Sequence, residues 1–440
     1  MIAAVIAIVA ADFAGFGAQR ADRAAFLIPV AVALGLGLLF LAANRFEVFV
    51  LTILLVRASL DAAKIGGGAI DATGALSVLF VGVAAVWLIA QRADPTAEPS
   101  ATAALMPPLV AFVAVAALGL FFSHDPLDSS IEWVRLGTLV AIVAVLGRIL
   151  RDERMIKLCL IAVLASAVVP VAIGGLQASH GTGAITAEGL DRIRGTFAHS
   201  NPFASYLFLM ITLAVAIFPH VGRRWRFVLV PYVLACGTLL VMTYTRGAWV
   251  ALVVALIVIG ILQDRRIFLV LLTAVIALAI LVPSVGVRLS DLSQEEKVTG
   301  APGNSLVWRF DHWRQVLALQ TNPLVGIGLK EVELTDASGN VPPHNDLVRV
   351  YVETGLAGLA AYIWLAIVLW IESLRTWRRA PTGLPRGLAV AATASLAGVM
   401  MLSIAANVIT QLVILWYFFA IVALAMAAST RMREEARAEA

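Results

Sequence analysis

The sequence predicts an all-α polytopic transmembrane bundle of about 12 to 14 spans with a large, partly helical loop on one face. Three observations lead there. Of the 440 residues, 61% are hydrophobic and 14% are charged, and the mean hydropathy is +0.94, a balance foreign to a soluble domain. The apolar residues gather into runs long enough to cross about 30 Å of hydrocarbon at about 1.5 Å per residue, the shorter ones by tilting. The joints between runs carry arginines on alternate sides, as expected where charge sets orientation.

In order, the runs are 2–16, 25–43, 46–60, 75–90, 105–122, 133–146, 158–176, 203–218, 227–242, 248–262, 267–282, 348–371, 388–409 and 411–428. The first lacks a basic start and leads straight into another apolar segment, so it reads as a span rather than a signal peptide. Near the outer end of 46–60, Arg57 and Asp61 stand one turn apart and can neutralise each other; Arg135 has Glu132 three residues before it. Cys159 and Cys236 both lie inside apolar runs, which indicates neither a disulfide framework nor a metal cluster. The net charge of +4 comes with no patch in which basic and aromatic residues interleave, so nucleic acid is not an expected partner. Residues 1–176 read as N-terminal spans. Residues 177–440 read as the part that carries chemistry: an outer loop 177–201, a large outer loop 284–347, spans 348–428, and a solvated tail 429–440.

The joints with Arg45, Arg92, 148–157, 223–226, 265–266, 375–386 and the tail from Arg431 fall on one side, which the positive-inside rule makes cytoplasmic together with both termini. Arg20 and Arg23 land opposite. The outer side receives the acidic joint 123–129 and the two long loops. It also receives Arg192, Arg194, Arg246, Arg309, Arg314 and His344, cations that this side normally avoids. A guanidinium is a planar fork of donors suited to phosphate oxygens, so a site gripping a diphosphate at the lipid surface would use such a set. Local pairing is the plainer alternative: Arg192 with Asp191, Arg309 or Arg314 with Asp311, Arg246 with water.

Each anchor has its own logic. Gly195 can turn the chain and Pro202 suits the first turn of the next span, which puts Arg194 and Asn201 at the membrane surface. Thr243-Tyr244-Thr245-Arg246 leaves almost no loop between two spans, so Arg246 sits at their shared tip, where Tyr244 and Trp249 also fit an interfacial anchor. Residues 304–319 show one apolar stripe, Leu306, Phe310, Trp313 and Leu317, with Asn304 or Ser305 as cap. This amphipathic helix is expected flat on the leaflet or over the bundle. Arg309 and Arg314 flank the stripe on opposite sides, and Arg309 is the one expected to face the site. His312 and the acidic run 331–336 lack metal-ligand spacing, so no metal site is expected. In 341–358, Pro342 and Pro343 keep the chain extended and Asn345 or Asp346 caps the following helix. His344 then stands at a helix mouth, able to exchange a proton near neutral pH; an ordinary loop junction with a solvated imidazole is the alternative. Arg349 and Glu353 form a one-turn pair, and Glu353 is too deep to stay unpaired cheaply.

His344-Asn-Asp-Leu with Glu353-Thr-Gly355-Leu-Ala-Gly358, preceded by Trp313 and Asn322-Pro-Leu-Val-Gly-Ile-Gly328, together with Arg194-Gly-Thr-Phe-Ala-His-Ser-Asn201-Pro and Thr245-Arg246-Gly-Ala-Trp249, resembles the bacterial O-antigen ligase and O-antigen polymerase superfamily. The resemblance covers roughly the second half of the chain. It implies a multi-span, metal-independent inverting glycosyltransferase without a cofactor. Such an enzyme works on the periplasmic side of the inner membrane on glycans carried by undecaprenyl diphosphate. Ligases of this kind pass the glycan to lipid A-core; polymerases pass it to another lipid-linked repeat unit. Carried onto this sequence, His344 is the expected base and Arg194 and Arg246 the diphosphate contacts. Arg309 joins them from its place on the amphipathic helix, with Arg192, Asn201, Asn345, Arg349, Glu353 and Gly355 in support. The paired arginine, ten residues, glycine motifs of some polymerases do not start from Arg192, Arg194 or Arg246, which favours a ligase over an O-antigen or exopolysaccharide polymerase. A transporter or flippase for the same lipid-linked sugars should instead show repeated halves and midplane charge. Here charge gathers at one face.

Overall fold

The computed structural model describes residues 34–61, 72–92, 100–185, 191–266, 269, 273, 305–335, 339 and 341–438. The predicted run 2–16, nearly all of 267–282, and Asn304 lie outside these residues. The described residues are almost wholly helical. The first half gives α1 (Leu34–Asn44), α2 (Phe46–Val56), α3 (Ala72–Arg92), α4 (Met106–Leu118), α5 (Pro126–Ile149), α6 (Glu153–Ala165) and α7 (Val168–His180). A two-residue antiparallel pair, Ala184–Ile185 with Asp191–Arg192, precedes α8 (Ser200–Ile217), α9 (Arg223–Met242) and α10 (Arg246–Leu262). Then come α11 (Ser305–Ala318), the short α12 (Glu331–Leu334), α13 (Asp346–Arg379), α14 (Leu384–Ala405) and α15 (Leu412–Ala438).

Among the described residues, nine helical stretches are long and apolar enough to cross a membrane, and α1 and α10 are shorter apolar helices. The polytopic all-α class is as the sequence predicts. Starts follow local chemistry: Asp125 accepts from the Asp128 N–H ahead of Pro126 at the opening of α5, and Asp152 accepts from Met155 at the opening of α6. The spans containing α8, α14 and α15 are 83%, 78% and 94% buried and form the centre, whereas those of α3 and α9 are 28% and 22% buried and present apolar side chains outward. That outward surface is what lipid requires. One continuous apolar core runs from Ala42 to Ala428, so helices of both halves of the chain pack together. Cys159 and Cys236 are buried and unpaired with each other.

Helix α15 continues past Arg431 to Ala438. One reading of the sequence needs correction: the run 348–371 is not one plain span. Helix α13 has 34 residues, roughly 51 Å at about 1.5 Å each, too long for one crossing, and it breaks at Gly355 with φ 67° and ψ −168°. Segment 322–328 fills the break: Ile327 N–H donates to Val352 O at 3.0 Å and Gly328 N–H to Glu353 O at 3.1 Å, while Leu356 donates to Pro323 O at 2.8 Å and Ala357 to Leu324 O at 3.2 Å. The interrupted helix thus has backbone partners supplied from outside it.

Helix α11 turns part of its apolar stripe away from the bundle, as a helix lying flat on the leaflet would. Phe310 and Leu317 are 56% and 41% exposed, while His312 and Val316 are buried. Polar bonds turn the helix. Arg309 Nη1 donates to Ala405 O at 2.8 Å and Trp313 Nε1 to Pro343 O at 2.6 Å, and His312 Nε2 meets Val341 O at 3.0 Å. Val316 packs in a small cluster with Val332 and Val352.

Candidate active site

The ends of α2, α7, α9, α14 and the starts of α5, α8, α10, α13 and α15 meet at one face of the bundle, with α11 and α12 across it. Here His344 has φ 52°, the left-handed region that a residue other than glycine rarely adopts. Its neighbours on the chain hold it there. Behind it, the Val341 and Pro343 carbonyls accept from His312 and Trp313. Ahead of it, Asn345 N–H donates to Asn407 Oδ1 at 3.1 Å, and Asn345 Oδ1 caps α13 by accepting from Leu347 and Val348 at 2.9 and 3.2 Å. Asp346 accepts from the Ile409 N–H at 3.2 Å and from the Tyr362 hydroxyl at 3.3 Å. Backbone strain of this kind persists only where the surroundings fix it from several directions.

The His344 ring is half-buried, 6.4 Å from the Trp308 ring, which itself stacks on His312 at 4.9 Å. Burial pushes the His344 pKa down to about 4, with Arg309 and His312 adding to the shift and Glu333 opposing it. At neutral pH the imidazole is therefore uncharged, with a lone pair available.

Below it, Arg349 is buried between two carboxylates. Its Nη1 reaches Glu333 Oε1 at 2.5 Å, its Nε Glu353 Oε2 at 3.1 Å, and its Nη2 Glu353 Oε1 at 3.1 Å. The one-turn pair read from the sequence is present, and Glu333 on α12 completes it. Removing Arg349 would strand the buried Glu353 carboxylate, a loss of about 3–5 kcal/mol. Glu331 straps the same short helix to the start of α5, accepting from Ser123 Oγ at 2.5 Å, His124 N–H at 2.7 Å and Asp125 N–H at 3.1 Å, beside a Lys330–Asp128 ion pair at 2.7 Å.

The arginines divide. Arg192 donates to Thr243 O at 2.8 Å, Asn201 Oδ1 at 2.8 Å and Thr245 Oγ1 at 3.0 Å, binding the first outer loop to the tip between α9 and α10. Arg246 opens α10 at that tip, after Tyr244 reverses the chain at φ 51°. Trp249 turns back, its Nε1 donating to Leu240 O at 3.1 Å. Arg309 is half-buried and reaches the end of α14; burial first and the nearby Arg246 charge second press its pKa down. Arg246 and Arg309 thus share one field, and Arg309 shares another with His344. Arg194 stands apart: it is exposed, and its guanidinium donates to Ala198 O at 3.3 Å. Its backbone N–H and that of Gly195 both donate to Gln177 Oε1, at 3.0 and 2.8 Å. Arg314 is exposed and pairs with Asp311 at 3.4 Å.

Arg57 is buried, with its guanidinium 5.0 Å from the Trp416 ring and near Ser77. Asp61 accepts from the Ala198 N–H at 3.2 Å. Sequence reasoning missed Glu333, Glu331 and Asn407. Glu331 and Glu333 were visible only as an acidic run. Asn407 was a single polar residue between two apolar runs, and its partner is 62 positions away.

This arrangement can accept a proton at a neutral imidazole and hold an anion between two cations. No curated protein matches the chain. Residues 231–363, from within α9 to the middle of α13, match the family model described as O-Antigen ligase. That stretch, which holds Arg246, Arg309, His344, Arg349, Glu353 and Gly355, is consistent with the O-antigen ligase and polymerase superfamily.

Proposed function

We propose that the protein moves a glycan from undecaprenyl diphosphate to an acceptor hydroxyl at the His344 face, with lipid A-core as acceptor. The observation that carries this reading is the half-buried His344, held in a left-handed turn at a helix mouth and acted on by Arg309, which in turn is acted on by Arg246 at the neighbouring helix tip. Two like charges near one another are costly alone and are stabilised by an anion of at least two charges. In the proposed step His344 takes the acceptor proton, the acceptor oxygen bonds the anomeric carbon, and the bond from that carbon to the diphosphate breaks. The departing oxygen carries the growing charge toward Arg246 and Arg309. Attack opposite the leaving group inverts the anomeric centre. Arg192 and Asn201 position the tip that carries Arg246.

The test is reconstitution: purified protein, a lipid-linked glycan, and lipid A-core or a second lipid-linked repeat unit offered separately. A glycosylated lipid A-core with release of undecaprenyl diphosphate supports the ligase reading; elongation of the repeat unit alone makes the protein a polymerase. Neither product with either acceptor removes the reading.

The same reading places the His344 face outside the cytoplasm. Cysteine introduced at the exposed Ala198 should react with a membrane-impermeant maleimide in intact cells once any outer barrier is opened, while cysteine at the exposed Arg224, on the far end of the bundle, should react only after lysis. The native thiols are buried and give little background. The reverse labelling pattern would invert the topology.

A pH dependence follows from His344. Its lone pair is lost on protonation, so activity falls as pH drops through its pKa. That pKa is about 4, so kcat/KM for donor should hold down to about that pH, because this ratio reports free-enzyme groups. Bound diphosphate offsets the cations around His344 and raises its pKa, so the acid limb of kcat should lie at higher pH. A kcat limb at or below that of kcat/KM would contradict this coupling.

A further inference from the structure

At the end of the bundle opposite His344, the last turns of α13, residues 426–430 of α15 and the chain leading into α4 line an open cavity of about 400 Å³. Two candidate spans finish beside it, at Arg379 and Arg431, and a third begins there, at Ala103. The cavity therefore lies where hydrocarbon gives way to water. Its lining is mixed in a definite way. Arg375 and Arg379, one helical turn apart on α13, stand exposed at the rim, and Thr376 and Ser429 are buried at its floor. Ser429 Oγ lies 3.4 Å from Thr376 O, tying the two helices together. Glu372 pairs with Arg375 at 2.7 Å, while Arg379 makes no ion pair among the described residues. Met426 and the alanines at 103 and 104 give one apolar wall.

We propose that this cavity binds the phosphate headgroup of an anionic membrane phospholipid. The guanidiniums meet the phosphate oxygens, the hydroxyl floor receives the polar glycerol end, and the apolar wall continues into the acyl region. An arginine that merely snorkels to water needs neither a cavity nor hydroxyls facing it. Free phosphate would gain the exposed cations but leave the apolar wall unused, so a lipid is the better match. The proposal is independent of the reaction at the other face.

The test uses the full chain reconstituted in nanodiscs and released for native mass spectrometry after stepwise delipidation. Wild-type protein should keep one phosphatidylglycerol where phosphatidylcholine is lost. Arg375→Ala/Arg379→Ala should lower that occupancy roughly tenfold. Arg379→Gln alone, at an exposed position that folding does not depend on, should lower it by a smaller factor. Inorganic phosphate added to phosphatidylcholine nanodiscs should leave thermal stability unchanged. Equal retention of the two lipids, equal phosphatidylglycerol occupancy in wild type and both variants, or stabilisation by phosphate alone would each overturn the proposal.

Discussion

His344→Ala should reduce turnover by on the order of a hundredfold or more with the protein still inserted and folded. The loss is expected because the neighbouring imidazole, His312, spends its Nε2 on the Val341 carbonyl and stacks against Trp308. Folding should survive because the bonds that hold the turn run through the backbone of Val341, Pro343 and Asn345 rather than through the imidazole. The left-handed φ of 52° adds a complication, since alanine tolerates it less well than asparagine. His344→Asn is therefore the cleaner variant: it suits the backbone and lacks the base. Initial rates with both variants, normalised to membrane-extracted protein, check the prediction. Wild-type rates in His344→Asn would remove the base from the mechanism.

Gly355→Ala should abolish or severely destabilise the fold around α13. A Cβ there would lie 2.3 Å from Leu324 O and 2.5 Å from Val325 N, at a φ of 67°. Neither obstacle is a flexible side chain. Segment 322–328 would have to leave the break, giving up its bonds to Val352, Glu353, Leu356 and Ala357. The backbone term alone is about 1–2 kcal/mol, and each amide or carbonyl left unpaired adds about 1–3 kcal/mol. The Arg349 cluster would loosen with it, because Glu353 is one of the residues bonded across the gap. Thermal half-life in mild detergent is the measurement, and a half-life equal to wild type would show that the segment does not depend on this glycine.

Much of this was legible from residue order. Lengths and polarity announced the spans, and the spacing from His344 to Gly355 carried the family resemblance. The break at Gly355 was not legible, because its partner, 322–328, reaches it only in three dimensions. The same holds for Asn407, which grips Asn345 across 62 positions, and for Glu333, which completes the Arg349 pair from a separate helix. The stripe on α11 shows a different limit. Apolar periodicity predicted a helix correctly, but the packing face was decided by hydrogen bonds from Arg309, His312 and Trp313, to which hydrophobic pattern is blind. Arg194 shows a third. A sequence can put Arg194 on one face, yet the bond from its exposed guanidinium to Ala198 O is set only by the folded loop.

Equilibrium binding of the lipid-linked diphosphate donor separates the parts most directly. Wild type, His344→Asn, Arg246→Lys and Arg309→Lys should be compared in the same nanodiscs. Lysine keeps the charge but not the two parallel donors, so if the two arginines grip diphosphate oxygens, each lysine variant should bind donor at least roughly tenfold more weakly. His344→Asn should bind as wild type does. Wild-type donor affinity in both lysine variants, or a comparable loss in His344→Asn, would contradict a division of labour in which arginines hold the leaving group and the histidine takes the proton.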